Sequence, residues 1–241
     1  TGPAVVTGGS SGIGAAAAMR LARLGHPVAL IARRPDLLDA TAEAIRAAVP
    51  GARVSTHPLD VRDETAVARA VAEVVAEHGP IAWLIASAGL AEPGLFVEQP
   101  FDVHRAQIEV NYLGTLAAVH AVAPSMRAAG RGRIVLVSSG AGLFGIYGYS
   151  AYAPSKFAVR GLAEVLRVEL AEHGVSVTLA YPPDTDTPQL AAERRSKPAV
   201  TAAITAGAGL WSADAVAKAM LEAAAAGRFT VAPGVTLGLL A

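Results

Sequence analysis

A glycine-rich junction between a short apolar strand and a helix constrains the fold of this chain more than any other feature. The run reads Thr7-Gly8-Gly9-Ser10-Ser11-Gly12-Ile13-Gly14, which places glycines at the spacing G-x-x-x-G-x-G. Gly8 permits a tight turn, while Gly12 and Gly14 let the backbone and the helix approach a pyrophosphate at the helix N-terminus. The junction predicts a nucleotide pocket, and a glycine-rich turn without a ligand is the alternative.

Apolar runs alternate with amphipathic, alanine-rich stretches along the whole chain. This alternation between strand and helix periods is typical of repeated strand-helix-strand units. The expected strands are residues 4–7, 28–32, 53–56, 81–86, 134–138, 175–180 and 229–232. Most of these runs are apolar along nearly their whole length, as strands buried on both faces require. We therefore expect an α/β fold with one doubly wound, Rossmann-type parallel sheet of about seven strands and helices on both faces.

No repeat, linker or break in composition divides the sequence. We expect residues 1–241 to form a single dinucleotide-binding domain. The most irregular region is 182–212, with prolines at 182, 183, 188 and 198 followed by a run of small residues. An irregular stretch late in an α/β domain is typical of a mobile lid, so we expect this region to contact substrate.

The composition excludes several classes of function. Twenty basic and twenty acidic residues cancel, so no global field attracts nucleic acid or an anionic membrane. The absence of cysteine removes disulfides, thiolate nucleophiles and cysteine metal sites, and suits a reducing cytoplasm. None of the six histidines forms a ligand pair at metal-site spacing, so we expect no metal.

The apolar runs are too short to span a bilayer, and the N-terminus lacks a signal-peptide pattern, so we expect no transmembrane segment. The expected location is the cytoplasm. The sequence begins at Thr1 without methionine and ends in a mostly apolar stretch, 235–241. Trimming at either end, and a membrane-touching tail beyond Ala241, therefore stay open.

Two arginines end the second expected strand. Arg33 and Arg34 stand where an NAD-preferring site would place an acid against the ribose hydroxyls. Their guanidinium groups favour a 2′-phosphate and hence NADP(H), whereas a solvated helix start before Pro35 is the alternative. Asp60 and Val61 follow the third strand. They would place a carboxylate near the adenine amino group, unless Asp60 serves only as a turn or cap.

A tyrosine and a lysine begin an amphipathic segment at the spacing Y-x-x-x-K. The four-residue interval puts Tyr152 and Lys156 on one face of a helix. A nearby ammonium stabilises a phenolate, so we expect Lys156 to lower the pKa of Tyr152 toward neutrality and make it a general acid-base. A helix-surface pair is an equally good interpretation of this fragment alone.

Two further polar residues accompany this pair. Ser139 lies just beyond an expected strand, at the sheet edge where ligand-contacting groups collect, and its hydroxyl can hold a substrate carbonyl. Strand alternation turns Ser138 to the other face, so we expect it to be structural. Asn111 lies among apolar neighbours in the amphipathic stretch 101–129. An internal helix hydrogen bond is its simplest explanation.

Together, the glycine junction, Asn111, Ser139, Tyr152 and Lys156 occur in an order and spacing that resemble the short-chain dehydrogenase/reductase family over almost the whole chain. The resemblance implies an oxidoreductase in which Tyr152 transfers the proton and Ser139 orients the carbonyl. It also implies that Lys156 binds the nicotinamide ribose and tunes Tyr152, and that Asn111 holds a water joining Lys156 to solvent. The cofactor contacts that it implies, beyond the glycine junction, are Arg33, Arg34, Asp60, Val61, Ala88, Gly89, Tyr152, Lys156, Pro182, Thr185 and Thr187.

Four stretches resemble more narrowly the members of that family that reduce 3-ketodihydrosphingosine, a long-chain amino ketone, with NADPH in sphingolipid synthesis. They are residues 111–114, 132–139, 151–164 and 180–188. The last contains Pro182-Pro183, where most relatives have Pro-Gly. This resemblance implies NADPH as cofactor, as the arginine pair does independently. Ala86-Ser87-Ala88-Gly89 departs from the family's Asn-Asn-Ala-Gly, and the membrane-anchoring segments of the eukaryotic enzymes are not visible.

The expected partner is therefore a small, lipid-like ketone. Its pocket walls would be Leu143, Phe144, Ile146 and Tyr147, unless these residues simply pack in the core. A steroid, a retinoid or another apolar ketone or alcohol is an alternative substrate, and a non-catalytic NADPH-sensing module is an alternative function. The long amphipathic helices at 101–129 and 152–173 resemble those that pair between subunits in the family, which predicts a homodimer or homotetramer.

Overall fold

The structure is a computed structural model that describes residues 1–207 and 209–234. The apolar stretch 235–241 and residue 208 of the expected lid lie outside the described residues. The strands are β1 (Ala4–Thr7), β2 (Val28–Ala32), β3 (Val54–Pro58), β4 (Trp83–Ala86), β5 (Gly132–Val137), β6 (Val175–Ala180), β7 (Thr185–Asp186), β8 (Trp211–Ser212) and β9 (Thr230–Val231).

The helices fall between these strands. They are α1 (Gly12–Arg23), α2 (Pro35–Ala48), α3 (Glu64–His78), α4 (Phe101–Ile108), α5 (Gly114–Ala129), α6 (Tyr152–Glu169), α7 (Pro188–Glu193), α8 (Ala199–Ala206) and α9 (Ala213–Ala225). The punctuation of the sequence sets several of these bounds. Pro35 starts α2, because its fixed φ suits the first helical position, and the Asp63 side chain caps α3 by accepting a hydrogen bond from the Ala66 N–H.

Seven parallel strands form the main sheet in the order β3-β2-β1-β4-β5-β6-β9. The order reverses next to β1, which is the switch point at which doubly wound sheets bind ligands. Two apolar cores cover the two faces. Leu21 of α1, Leu38 of α2 and Val216 of α9 pack on one face, whereas Val71 of α3 and Val122 of α5 pack on the other. The predicted fold class is thus confirmed, with helices on both sides of the sheet.

The bounds of the expected strands shift by a few residues. The third strand is Val54–Pro58 and not 53–56, because it pairs with the whole of β2 through Ala32↔Pro58. The last strand is Thr230–Val231, since only Leu179 and Ala180 of β6 pair with it. The end of a strand depends on its neighbour, which local residue preferences do not reveal.

The region 182–212 is less irregular than its composition indicates. It contains α7, α8 and a separate two-stranded parallel ladder, β7–β8. Pro188 is the first residue of α7, and Pro198 immediately precedes α8. The Thr187 hydroxyl caps α7 by accepting a hydrogen bond from the Leu190 N–H at 3.2 Å. These prolines therefore begin helices, a position that they tolerate well. Closure of this region as a lid stays a prediction.

Candidate active site

A cavity of about 560 Å³ opens at the carboxyl ends of the central strands. The ends of β1 to β5 form its floor, and the segment from Pro182 to Gly207 covers one side. The structure brings nearly all of the predicted site residues to this cavity. Those that line it are Gly8, Ser10, Ser11, Gly12, Ile13, Arg33, Arg34, Asp60, Val61, Ala88, Gly89, Ser139, Tyr152, Lys156, Pro182, Thr185 and Thr187. The other two predicted residues, Gly14 and Asn111, are buried behind the cavity wall.

The glycine junction forms the cradle at one end of this cavity. Gly8 and Gly12 have φ of +69° and +56°, which other residues rarely adopt. A Cβ on Gly8 would lie 2.8 Å from the Ala88 nitrogen. Ser11 precedes α1 without capping it through its side chain, so the N–H groups of the first turn are available to a phosphate. These residues fit a dinucleotide pyrophosphate.

Gly14 has a different role from Gly8 and Gly12. It does not line the cavity, and a Cβ at this position would clash with the backbone carbonyl of Gly8. Gly14 therefore allows close packing of α1 against the turn after β1, which is the role expected of the last glycine in such a junction.

Arg33 and Arg34 lie exposed on the rim of the cavity beyond β2. Asp60 lines the same end, but Arg62 already engages its carboxylate through the Arg62 N–H at 3.0 Å and the guanidinium at 2.7 Å. These hydrogen bonds from Arg62 hold the pKa of Asp60 below its ordinary value, and the nearby positive charge of Arg33 adds to the effect. Asp60 thus forms a turn at the cavity edge, while Asp63 caps α3, and contact of Asp60 with the adenine stays a prediction.

Tyr152 and Lys156 line the same cavity from the start of α6 and are both buried. The Lys156 Nζ lies 5.6 Å from the centroid of the Tyr152 ring and donates a hydrogen bond to the Val137 carbonyl at 3.0 Å. The carbonyl at the end of β5 thereby fixes the ammonium beside the phenol. The helical spacing places the pair on one face, as the sequence predicts.

The pKa of Tyr152 is raised, whereas the neighbouring lysine alone was expected to lower it. Burial raises the pKa of Tyr152 above its ordinary value, and the charge of Glu193 raises it further, whereas hydrogen-bonding groups of Ser139 and Gln189 oppose this. Burial also lowers the pKa of Lys156 to about 8, against the opposing effect of Glu193. Desolvation thus shifts both pKa values toward the uncharged forms, although at a pKa of about 8 the Lys156 amine is still mostly protonated at neutral pH.

The two serines after β5 both line the cavity, but their hydroxyls have different hydrogen-bond partners. The Ser139 hydroxyl lines the cavity beside Tyr152 and accepts a hydrogen bond from the Ala141 N–H at 3.2 Å. Ser138 is buried and donates from its hydroxyl to the Lys156 carbonyl at 3.1 Å. Ser138 thus anchors α6 to the sheet, and Ser139 presents a hydroxyl to a ligand.

Asn111 lies in a π-helical turn, Glu109–Leu113, between α4 and α5. Its amide accepts a hydrogen bond from the Leu90 N–H at 2.8 Å, and donates to the Leu90 carbonyl and to the Ser155 hydroxyl, each at 2.9 Å. The amide thus bonds across elements and not within its own helix. A Cβ on Gly89 would lie 3.2 Å from the Asn111 Oδ1 and 3.6 Å from the Lys156 Nζ. Gly89 thereby leaves space where these two groups approach each other.

Only part of the expected apolar wall lines the cavity. Phe144 and Ile146 do so. Leu143 packs instead against the core on the sheet face that α3 and α5 cover. Tyr147 is 53% exposed and does not line the cavity. The expectation was therefore wrong for these two residues. The loop after Ser139 turns through a 3₁₀ segment, Gly140–Gly142, so its side chains do not share one face.

A polar cluster that the sequence did not predict lies in the segment from Pro182 to Gly207, which covers one side of the cavity. Glu193 is buried on α7 and accepts a hydrogen bond from the Tyr149 hydroxyl at 3.0 Å and one from the Gln189 amide at 3.1 Å. The Lys197 Nζ lies 3.6 Å from the Glu193 carboxylate and 3.5 Å from that of Asp184. The four-residue spacing of Gln189, Glu193 and Lys197 is a helix-face pattern that would have indicated part of this cluster.

In the described part of the chain, no helix is long and apolar enough to cross a membrane. Over the same residues, no group of three or more His, Asp or Glu side chains is arranged to hold a metal ion.

The family description "short chain dehydrogenase" matches residues 3–198. The chain belongs to this family, and its fold, its glycine cradle and the Tyr152–Lys156 pair agree with that membership. A 3-dehydrosphinganine reductase of Danio rerio is 41% identical over 229 residues, which cover 94% of this chain and 69% of that protein. 3-Dehydrosphinganine is another name for 3-ketodihydrosphingosine.

Solved structures of the same family superpose closely on the chain. A short-chain dehydrogenase of Sphingobium yanoikuyae in complex with NADPH is 29% identical, with a TM-score of 0.84 over 97% of this chain and 88% of that one. A Burkholderia phymatum member in complex with NAD is 28% identical, with a TM-score of 0.86 over 96% of this chain and 88% of that one. The shared fold thus accommodates either dinucleotide, and the residues at the ribose must decide between them.

Proposed function

We propose that this protein reduces the ketone of 3-ketodihydrosphingosine to the alcohol of dihydrosphingosine, with NADPH as the reductant. The observation that carries the proposal is the convergence of Ser139, Tyr152 and Lys156 in the same cavity as the glycine cradle. The 3-dehydrosphinganine reductase similarity supports the substrate. Arg33 and Arg34, at the rim of the cavity, support NADPH over NADH.

The chain's own residues bind and protonate the substrate. Ser139 and Tyr152 donate hydrogen bonds to the ketone oxygen, and the Tyr152 phenol then gives its proton to that oxygen as negative charge develops on it. A phenol with a raised pKa is protonated at neutral pH, which is the form that a proton donor requires. Bound NADPH supplies the hydride to the carbonyl carbon.

Lys156 and Asn111 replace the proton that Tyr152 gives up. The ammonium lies beside the phenol, and Gly89 leaves space between the Lys156 Nζ and the Asn111 Oδ1. A water held there would connect the ammonium to the outside. With a pKa of about 8, Lys156 exchanges a proton readily near neutral pH.

The direct test of this function is NADPH consumption with a panel of ketones. We expect 3-ketodihydrosphingosine to give the highest kcat/KM, above steroid and retinoid ketones assayed side by side at the same NADPH concentration. If a steroid or a retinoid reacted faster, the proposed ketone reduction would stand, but the proposed substrate would be wrong. Tight NADPH binding without its oxidation by any ketone would indicate a sensing module instead.

We infer that residues 1–241 act as a single dinucleotide-binding oxidoreductase domain, and that 182–212 closes over the substrate. Pro182, Thr185 and Thr187 of this segment line the cavity beside the cradle. A Cβ on Gly12 would lie 2.9 Å from the Thr187 side chain. Cofactor bound in the cradle would thus contact the segment that covers the substrate, which favours ordered binding.

We also infer that the chain forms a homodimer or homotetramer through its long helices. Several apolar side chains on the outer surface of α6 and next to α5 are exposed. They are Leu113, Phe157, Val165 and Val168. Pairing with a second copy would bury them. Light scattering at micromolar concentration should give about two or four times the chain mass of 24.4 kDa, and a monomer would contradict the inference.

A further inference from the structure

The cavity contains a buried carboxylate that the proposed reaction does not use. Glu193 is 7% exposed and lines the cavity from α7. Its two oxygens are oriented separately, because the Tyr149 hydroxyl donates to Oε2 and the Gln189 amide donates to Oε1. Neutral donors hold the carboxylate in place and leave its charge intact. Such a group is costly to bury unless a cation is nearby.

The cation present is shared between two carboxylates. The Lys197 Nζ lies 3.6 Å from Glu193 and 3.5 Å from Asp184, and the Lys197 side chain is 3% exposed. Among the described residues this ammonium has no hydrogen-bond partner, so the cluster is incompletely satisfied as it stands. Asp184 also accepts from the Thr205 hydroxyl at 3.0 Å. Two negative charges and one positive charge leave the cluster of Glu193, Asp184 and Lys197 with a net negative charge, and Lys156 lies within the electrostatic range of Glu193.

This negative charge lies next to the proton donor. The rings of Tyr149 and Tyr152 meet edge-on with centroids 5.2 Å apart, and the Tyr149 hydroxyl reaches Glu193. The Gln189 amide donates to the Glu193 carboxylate at 3.1 Å, and Gln189, Glu193 and Tyr152 all line the same cavity. A ketone held by Tyr152 would therefore share the cavity with the Glu193 carboxylate.

We propose that Glu193, positioned by Tyr149 and Gln189 and assisted by Asp184, binds the protonated amino group on the carbon next to the reacting carbonyl. The assignment rests on the proposed function, because it names the part of the substrate that the site selects. The ammonium of an amino ketone completes the charge balance of the cluster. An uncharged ketone leaves Glu193 facing apolar substrate in a dry pocket, so the site discriminates against it.

The test is the selectivity of Glu193→Gln between two ketones of equal chain length. We would measure kcat/KM for 3-ketodihydrosphingosine and for its analogue with hydrogen in place of the amino group. We expect the wild-type ratio of amino to deamino substrate to fall about 10- to 100-fold in the variant, because a charged hydrogen bond is lost. The matched control is Glu222→Gln, an exposed carboxylate on α9 beside Lys218, which should leave the ratio unchanged.

Other results separate a structural role from recognition. If Glu193 only holds α7 through Lys197, Glu193→Gln lowers turnover of both ketones alike and the ratio does not change, which would overturn the proposal. If the wild type reduces neither ketone, the proposed function fails. Calorimetric binding of dihydrosphingosine and of its deamino analogue to the protein with NADP⁺ then still tests the amine site. Equal affinities for the two, or a preference that survives Glu193→Gln, would refute it.

Discussion

Replacement of Tyr152 by phenylalanine should lower kcat for ketone reduction by about 10²- to 10⁴-fold, the range expected when a general acid is removed. The ring fills the same buried volume in the variant, so the first turn of α6 and the position of Lys156 should be retained. We therefore expect NADPH affinity, measured by fluorescence titration, to stay within about threefold of wild type, since the change removes one hydroxyl. The lower kcat would then reflect slower proton transfer and not weaker NADPH binding.

The matched control for this variant is Tyr181→Phe. Tyr181 is also a buried tyrosine, but it follows β6 and lies beside Arg160 and Glu164, away from the cavity. Its substitution should change kcat less than about twofold, because Tyr181 does not line the cavity in which the ketone is reduced. If Tyr152→Phe retained a near-normal rate, the proton would come from another group. Tyr149, whose hydroxyl also lies in the cavity, would be the next candidate.

The fold is predictable from sequence because its signals are local. The glycine junction between β1 and α1, and the apolar runs of β2 and β6, determine their own conformations through steric limits and burial. The same holds for the pair formed by Tyr152 and Lys156, whose helical spacing alone puts them on one face. Elements of this kind depend little on what packs against them, so short stretches of sequence suffice.

Features that arise from contacts between distant segments are less predictable. Asn111 bonds to Leu90 and Ser155, and these partners lie 21 and 44 residues away along the chain. An internal helix bond was the simplest expectation for a polar residue in an apolar helix, and the structure replaces it with a clamp between three elements. The glycine that follows this π-turn is explained by another distant contact, because Val61 packs where a side chain on Gly114 would lie.

The pKa of Tyr152 illustrates the same limit for electrostatics. The lysine four residues away is visible in the sequence, but the desolvation by the pocket and the charge of Glu193 come from segments that only the fold brings near. The net effect of these contributions is a rise and not the expected fall. Sequence spacing identifies which groups meet, whereas the direction of a pKa shift depends on the whole environment.

The cofactor preference gives the second large effect. Replacement of both Arg33 and Arg34 by alanine should raise the Kd for NADPH roughly 10- to 100-fold, because a 2′-phosphate loses charge-assisted hydrogen bonds to guanidinium groups. NADH lacks that phosphate, so its Kd should change less than about threefold. Both arginines are exposed at the cavity rim, and their removal should leave thermal stability nearly unchanged. Fluorescence titration with each dinucleotide measures the effect directly.

The control must separate local contacts from the loss of two positive charges. Replacing Arg23 and Arg69, which are exposed on α1 and α3 and do not line the cavity, removes the same charge. This double variant should bind NADPH within about twofold of wild type at physiological salt, because neither side chain lines the cavity and salt screens exposed charges. An equal loss of NADPH affinity in both double variants would show that only the overall electrostatic field acts.

A different result would contradict the proposed 2′-phosphate contact. If the Arg33 and Arg34 substitutions weakened NADPH and NADH binding equally, the arginines would contact parts common to both dinucleotides. The solvated helix start before Pro35 would then be the better interpretation of the pair.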